Sequence, residues 1–164
     1  MDSTNRSQLL QENSHENAEF VSQALAKYQQ VAEKSVKAMV SAIVDIGITF
    51  MTITPSHVPS KEIDALRNLK RTIHPSTAGT IARILTDKRC NAILTLCQIA
   101  PKYPEKGQSF PRNTEYPFQD AAGWIAPVSE GVFSVAEVED ARTLTWVLHH
   151  QVIKFVSAAR RNNV

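Results

Sequence analysis

Glycine is scarce in this chain. Only Gly47, Gly79, Gly107, Gly123 and Gly131 occur among 164 residues, and no two lie closer than eight positions apart. That spacing excludes the glycine-rich dinucleotide fingerprint and the phosphate-binding P-loop, whose glycines crowd into one turn. With eight prolines, it also leaves little turn material for a hairpin-rich β protein. No C-x-x-C, H-E-x-x-H, EF-hand or G-x-S-x-G pattern is present.

Cysteine is equally sparse. Cys90 and Cys97 stand seven residues apart in a helical pattern. Two helical turns separate their Cα atoms by about 10 Å, beyond the ~7 Å that a disulfide tolerates. Both share an apolar face with Ile93 and Leu94. They therefore read as buried, reduced thiols, which suits a reducing intracellular compartment. Such a setting raises a thiol pKa and disfavours a nucleophile. The N-terminal MDSTNRSQLLQENSHEN is polar and lacks the apolar core of a secretory signal, so the expected location is cytoplasmic. Long apolar runs are missing too. The nearest, from Ala38 to Ile53, is interrupted by Ser41, Asp45, Gly47, Thr49 and Thr52. It falls short of the ~18 uninterrupted residues of a membrane span, and no membrane partner is expected.

What is present is helical periodicity. Val21, Leu25, Tyr28, Ala32, Val36, Met39, Ile43, Ile46 and Phe50 advance by threes and fours, 29 residues in eight steps. That is the 3.6-residue repeat of one helix face. Glu33 and Lys37 add a favourable i,i+4 pair. A helix of ~30 residues is about 45 Å long, more than a compact domain of this size spans. It therefore breaks near Gly47 or projects onto another molecule. Residues 48–54 alternate like a short strand, but the expectation is a frayed helix end before Pro55. Residues 1–17 carry only Leu9 and Leu10 as large aliphatics and read as a polar arm.

Three shorter helices are expected after the loop 55–59. Ser60 is placed as the cap of one running to Ile73, and Ser76 as the cap of the next. Thr86 or Asp87 caps a third, with one continuous helix as the alternative for the last two, since no Gly or Pro separates them. Residues 101–131 then alternate five prolines with Tyr103, Phe110, Tyr116, Phe118 and Trp124, an irregular segment that wraps the core or docks on a neighbour. The last helix opens on an S-x-x-E capping box, Ser134 with Glu137, flanked by Phe133 and Val138 as a hydrophobic staple. Its stripe is Val138, Ala141, Thr145, Leu148, Val152, Phe155 and Ala159. The fold class is all-α: a bundle of about five helices with a long N-terminal helix, in a single domain over residues 18–164.

The net charge of +2 names no partner, but its layout is uneven. Residues 1–60 and 113–164 each sum to −2, while 61–112 sum to +6. The central excess comes from Lys61, Arg67, Lys70, Arg71, Arg83, Lys88, Arg89, Lys102, Lys106 and Arg112, all off the apolar stripes. With Tyr103 beside them, they form a candidate surface for a phosphate backbone and a stacked base, RNA or DNA. The bland alternative is a solvated helical face. Arg71 and Arg89 are expected to tolerate reversal to Glu without structural damage. Phe110, Tyr116, Phe118 and Trp124 are candidates for protein contact. His149 and His150 point about 100° apart on a helix, so one is expected in the core and one in solvent, with no metal site. No cofactor is expected. The reading is a non-enzymatic, self-associating helical protein that binds or packages nucleic acid. The alternative is an adaptor that uses a helical groove or the aromatic arm.

Overall fold

The computed structural model describes residues 3–48, 52–53, 55–69, 73–98, 118–119, 123–125 and 133–161. Five helices follow in order: α1 (Ser3–Asp45), α2 (Ser60–Asn68), α3 (Pro75–Ile84), α4 (Asp87–Gln98) and α5 (Val135–Arg161). The chain is an all-α bundle with α1 and α5 in contact. Between α4 and α5, β1 (Phe118–Gln119) and β2 (Trp124–Ile125) form one small antiparallel pair, Phe118 opposite Ile125 and Gln119 opposite Trp124. Gly123 precedes β2 with φ +140°, a conformation that residues with a Cβ rarely adopt. The remainder of the Pro/aromatic segment lies outside the described residues.

The chain divides into two compact units. One comprises Met1–Tyr28 and Ile99–Ala141, the other Gln29–Gln98 and Arg142–Val164. The expected polar arm belongs to α1, which starts at Ser3. Extending an existing helix adds one hydrogen bond per residue without a new nucleus. A segment too polar to announce itself by periodicity thus continues its neighbour.

The first unit buries Val21, Leu25 and Ala26 from α1, and Phe133, Val138 and Ala141 from the start of α5. The capping box forms as expected. Ser134 N donates to Glu137 Oε2 (2.9 Å), and Glu137 N donates to Ser134 Oγ (3.3 Å). Phe133 and Val138 are buried at the two staple positions.

The second unit gathers one face from each helix. Val36, Met39 and Ile43 of α1, Ile63 and Leu66 of α2, Ile81 and Ile84 of α3, Ile93 and Cys97 of α4, and Leu148, Val152 and Phe155 of α5 are all buried. Every member of the expected α5 stripe is buried. Tyr28, expected in the core, is half-buried, and Phe50 lies outside the described residues. On α1 the buried face is wider than one stripe and takes in Gln29, Glu33 and Ser35.

Helix ends show how local chemistry sets the boundaries. α1 stops at a left-handed glycine: Gly47 has φ +72°. Its N–H donates to Val44 O (2.9 Å), and Ile48 N donates to Ile43 O (3.3 Å). This is a Schellman closure, and it satisfies carbonyls the helix would otherwise orphan. α2 has Pro59 at its N-cap with no side-chain cap, so Ser60 is its first residue and not its cap. It ends at Asn68, short of the expected Ile73. The α3 cap is His74, not Ser76: His74 Nδ1 accepts from Ser76 N (3.3 Å), and Pro75 takes the first helical position. Thr86 caps α4, its Oγ1 accepting from Arg89 N (3.3 Å). α3 and α4 are therefore two helices, separated at Leu85 and Thr86.

Among the described residues, no helix is long and apolar enough to cross a membrane. Ile43 and Leu148 have no solvent exposure. Truncating either to Ala should cost about 2–5 kcal/mol, the range for buried large-to-small changes. Urea unfolding monitored by helical ellipticity measures the loss.

Candidate nucleic-acid interface

Lys61, Arg67, Arg83, Lys88 and Arg89 of the basic block fall within the described residues, and they divide by what their charges already hold. Arg67 on α2 pairs with the Asp87 carboxylate at the start of α4. Arg89 is more committed. One guanidinium nitrogen, Nη1, donates to Arg83 O (2.6 Å), Ile84 O (3.2 Å) and Gln151 Oε1 (2.9 Å). The first two acceptors are end-of-helix carbonyls of α3, which need a donor from outside the helix. The third is on α5. Arg89 is thus a tie between α3, α4 and α5, and its replacement by Glu is not structurally mild. Lys61, Arg83 and Lys88 are exposed, with Arg83 Nη2 also donating to Thr80 Oγ1 (3.1 Å). Lys70, Arg71, Lys102, Tyr103, Lys106 and Arg112 lie outside the described residues, as do the partner candidates Phe110 and Tyr116. Phe118 and Trp124 stand in the two short strands.

Arg83 opens onto a cleft of about 740 Å³ within the second unit. One wall is α3, where Ser76, Thr80 and Arg83 recur at i, i+4 and i+7 and so share a face. Thr80 Oγ1 donates to Ser76 O (3.0 Å) and accepts from Arg83. Ser76 Oγ lies 2.7 Å from His74 Nδ1. While that nitrogen accepts from Ser76, the neutral ring carries its proton on Nε2. The facing wall is α5, with Gln151, Lys154 and Phe155. Ile46 and Ile48, just past α1, add apolar lining. Arg83 and Lys154 are the formal charges among the described lining residues, and no carboxylate is among them.

Sequence reading found Arg83 but not its companions. Lys154 lies beyond the basic block 61–112, so block counting passes over it. The hydroxyls of Ser76 and Thr80 carry no charge to draw notice, although their spacing with Arg83 is a visible signal. His149 and His150 are both exposed on α5, correcting the expectation that one enters the core. Neither ring is needed by the bundle, because the inward positions on that turn are filled by Leu148 and Val152.

A second polar cluster lies on α1. Glu33 accepts from Gln29 Nε2 (3.2 Å) and Lys37 Nζ (2.7 Å), and its Oε2 lies 3.1 Å from His57 Nδ1, which must donate to an ionised carboxylate. Lys37 also donates to Ser56 O (2.8 Å), so the cluster holds the 55–59 loop against α1. Burial pushes the Glu33 carboxyl up, but the bonds from Lys37, His57 and Gln29 outweigh it and hold the group below its ordinary value. Cys97 is pushed up to about 12, chiefly by burial and further by the Glu33 charge. Burial likewise raises Cys90. Both thiols are free and buried, and at neutral pH both are protonated.

These two polar clusters make separable predictions. Arg89→Met should destabilise the protein by about 1.5–3 kcal/mol in chemical denaturation, the cost of losing charged hydrogen bonds to otherwise orphaned acceptors. Arg83→Met, at an exposed site, should stay within about 0.5 kcal/mol. A carboxyl whose pKa is lowered by folding stabilises the native state above its unfolded value. That contribution is lost as pH falls below about 4.5 toward the folded value. Glu33→Gln should therefore lower stability at pH 7 and flatten the acid limb of a stability–pH curve below that value. An acid limb unchanged by Glu33→Gln would show that other carboxylates carry it. Compared with protein-family models, with curated proteins and with solved structures, the chain matches none.

Proposed function

We propose that this chain is a non-enzymatic, self-associating helical protein that binds nucleic acid through its phosphates. The observation that carries the reading is the α3–α5 cleft. Arg83 and Lys154 line it together with the Thr77 hydroxyl, over an apolar lining that includes Ile46, Ile84 and Phe155. Cations and hydroxyls are the side chains that hold phosphate oxygens, and interactions of that kind position a nucleic acid without reading its sequence. An apolar wall beside them offers a face to sugar or base. Arg83 belongs to the basic block, and Lys88, exposed on the first turn of α4 in the same unit, adds to the positive field. A second reading, a protein-binding adaptor, is favoured by one observation: Trp146 on α5 is 75% exposed.

Filter binding to a single-stranded and a duplex oligonucleotide across a salt series tests the proposal. The logarithm of affinity should fall with the logarithm of salt by about 0.7 per phosphate on single strands and about 0.9 on duplex. Arg83→Glu with Lys154→Glu should weaken binding to every sequence and shallow the slope by about one for each phosphate no longer neutralised. Helical ellipticity should be unchanged, since both residues are exposed. No binding at low salt overturns the nucleic-acid reading. Binding unchanged in the double variant removes the cleft from it.

A further inference from the structure

α5 has a second stripe, unlike its buried one. Trp146 and Ile153 are 75% and 51% exposed and stand seven residues apart, two turns on one side of the helix. Between them, on the same side, are His149 and His150, both exposed. The stripe continues three or four residues outward at each end, through Arg142 to Glu139 in one direction and through Ser157 to Arg160 in the other, and all four are exposed. Steps of three and four over three turns on either side of a midpoint are the pattern of a helix-pairing seam. A tryptophan presented in this way is among the residue types most enriched at interface anchors.

The stripe is self-complementary when reversed. With a two-fold axis between positions 149 and 150, Trp146 of one copy meets Ile153 of the second, and Ile153 meets Trp146. The same register sets Arg142 against Ser157 and places Glu139 opposite Arg160. Toward the N-terminal end of α5, Glu137, Glu139 and Asp140 outnumber Arg142 and leave a net −2, while Lys154, Arg160 and Arg161 put +3 toward its C-terminal end. An antiparallel pair therefore brings opposite charges together at both ends, and a parallel pair brings like charges together. Antiparallel alignment also sets the two helix dipoles head to tail. We infer that the exposed face of α5 is the self-association surface, and that its partner is a second copy of this chain bound antiparallel about the His149–His150 midpoint. An isologous interface of this kind closes on a pair and does not propagate.

The inference deepens the self-association half of the proposed function, and its test separates the two. Sedimentation equilibrium of the full chain should show a reversible monomer–dimer equilibrium. Trp146→Glu and, separately, Ile153→Lys should each raise the dissociation constant at least about tenfold, with helical ellipticity unchanged because both positions are exposed. Arg160→Glu alone should weaken pairing, and Glu139→Arg combined with it should restore pairing by swapping the ends of the same register. That rescue is an outcome a merely structural role for these residues would not produce. A chain that self-associates with a constant unmoved by Trp146→Glu overturns this surface and leaves self-association standing. Association weakened by Trp146→Glu but without rescue in the charge swap overturns the antiparallel register. A chain that is monomeric at every concentration and salt overturns both the surface and the self-association reading.

Discussion

One guanidinium group holds the second unit's helix junction together. Arg89 sits on the first turn of α4, reaches back to the last carbonyls of α3 and across to Gln151 of α5. Helix ends leave backbone carbonyls without partners, and a buried carbonyl without a donor is costly. Three acceptors on two helices therefore converge on the one donor. The break at Leu85 and Thr86 and the placing of Gln151 in the cleft wall both depend on that junction. Arg67 with Asp87 adds a second link, between α2 and α4.

The consequence for function is a division of labour among like residues. Charge counting treats Lys61, Arg67, Arg83, Lys88 and Arg89 as equal members of a basic block. In the fold, Arg67 and Arg89 tie one helix to another, while Lys61, Arg83 and Lys88 are exposed. Electrostatic attraction at long range sums all five, whereas a phosphate interaction needs a donor that can still reach it. Lys154, remote in sequence, completes the cleft because α5 packs beside α3 there. Among the described residues, the cations that tie no helix to another are thus fewer than the block's, and the cleft adds one from outside it.

Buried polarity on α1 follows a similar rule. Glu33 loses water on folding and regains three donors, from its own helix and from the 55–59 loop. Its ionised form is kept because those bonds exceed the burial penalty. Burial pushes Cys97 in the same direction, but no comparable donor set offsets it there and the thiol stays neutral. Two groups in one neighbourhood are driven to opposite protonation preferences by what each can bond to.

Much of the architecture was legible from the chain alone. Apolar spacing over 21–46 and 138–159 located the buried faces of α1 and α5, because a 3.6-residue repeat in polarity can be satisfied only by one face turned inward. The capping box at Ser134 and Glu137 was legible because it is local, with donor and acceptor within one turn, and for the same reason the α4 cap was narrowed to Thr86 or Asp87. The caps of α2 and α3 were misplaced, since proline and histidine at those ends outcompeted the serines that usually serve. The extension of α1 back to Ser3 carried no apolar periodicity, only the adjacent Leu9 and Leu10. The cleft, the role of Arg89 and the exposure of both His149 and His150 were decided only by the tertiary structure. Each depends on which residues from distant parts of the chain arrive on the same side of a packed helix. Periodicity states which face is buried, but not what stands opposite it.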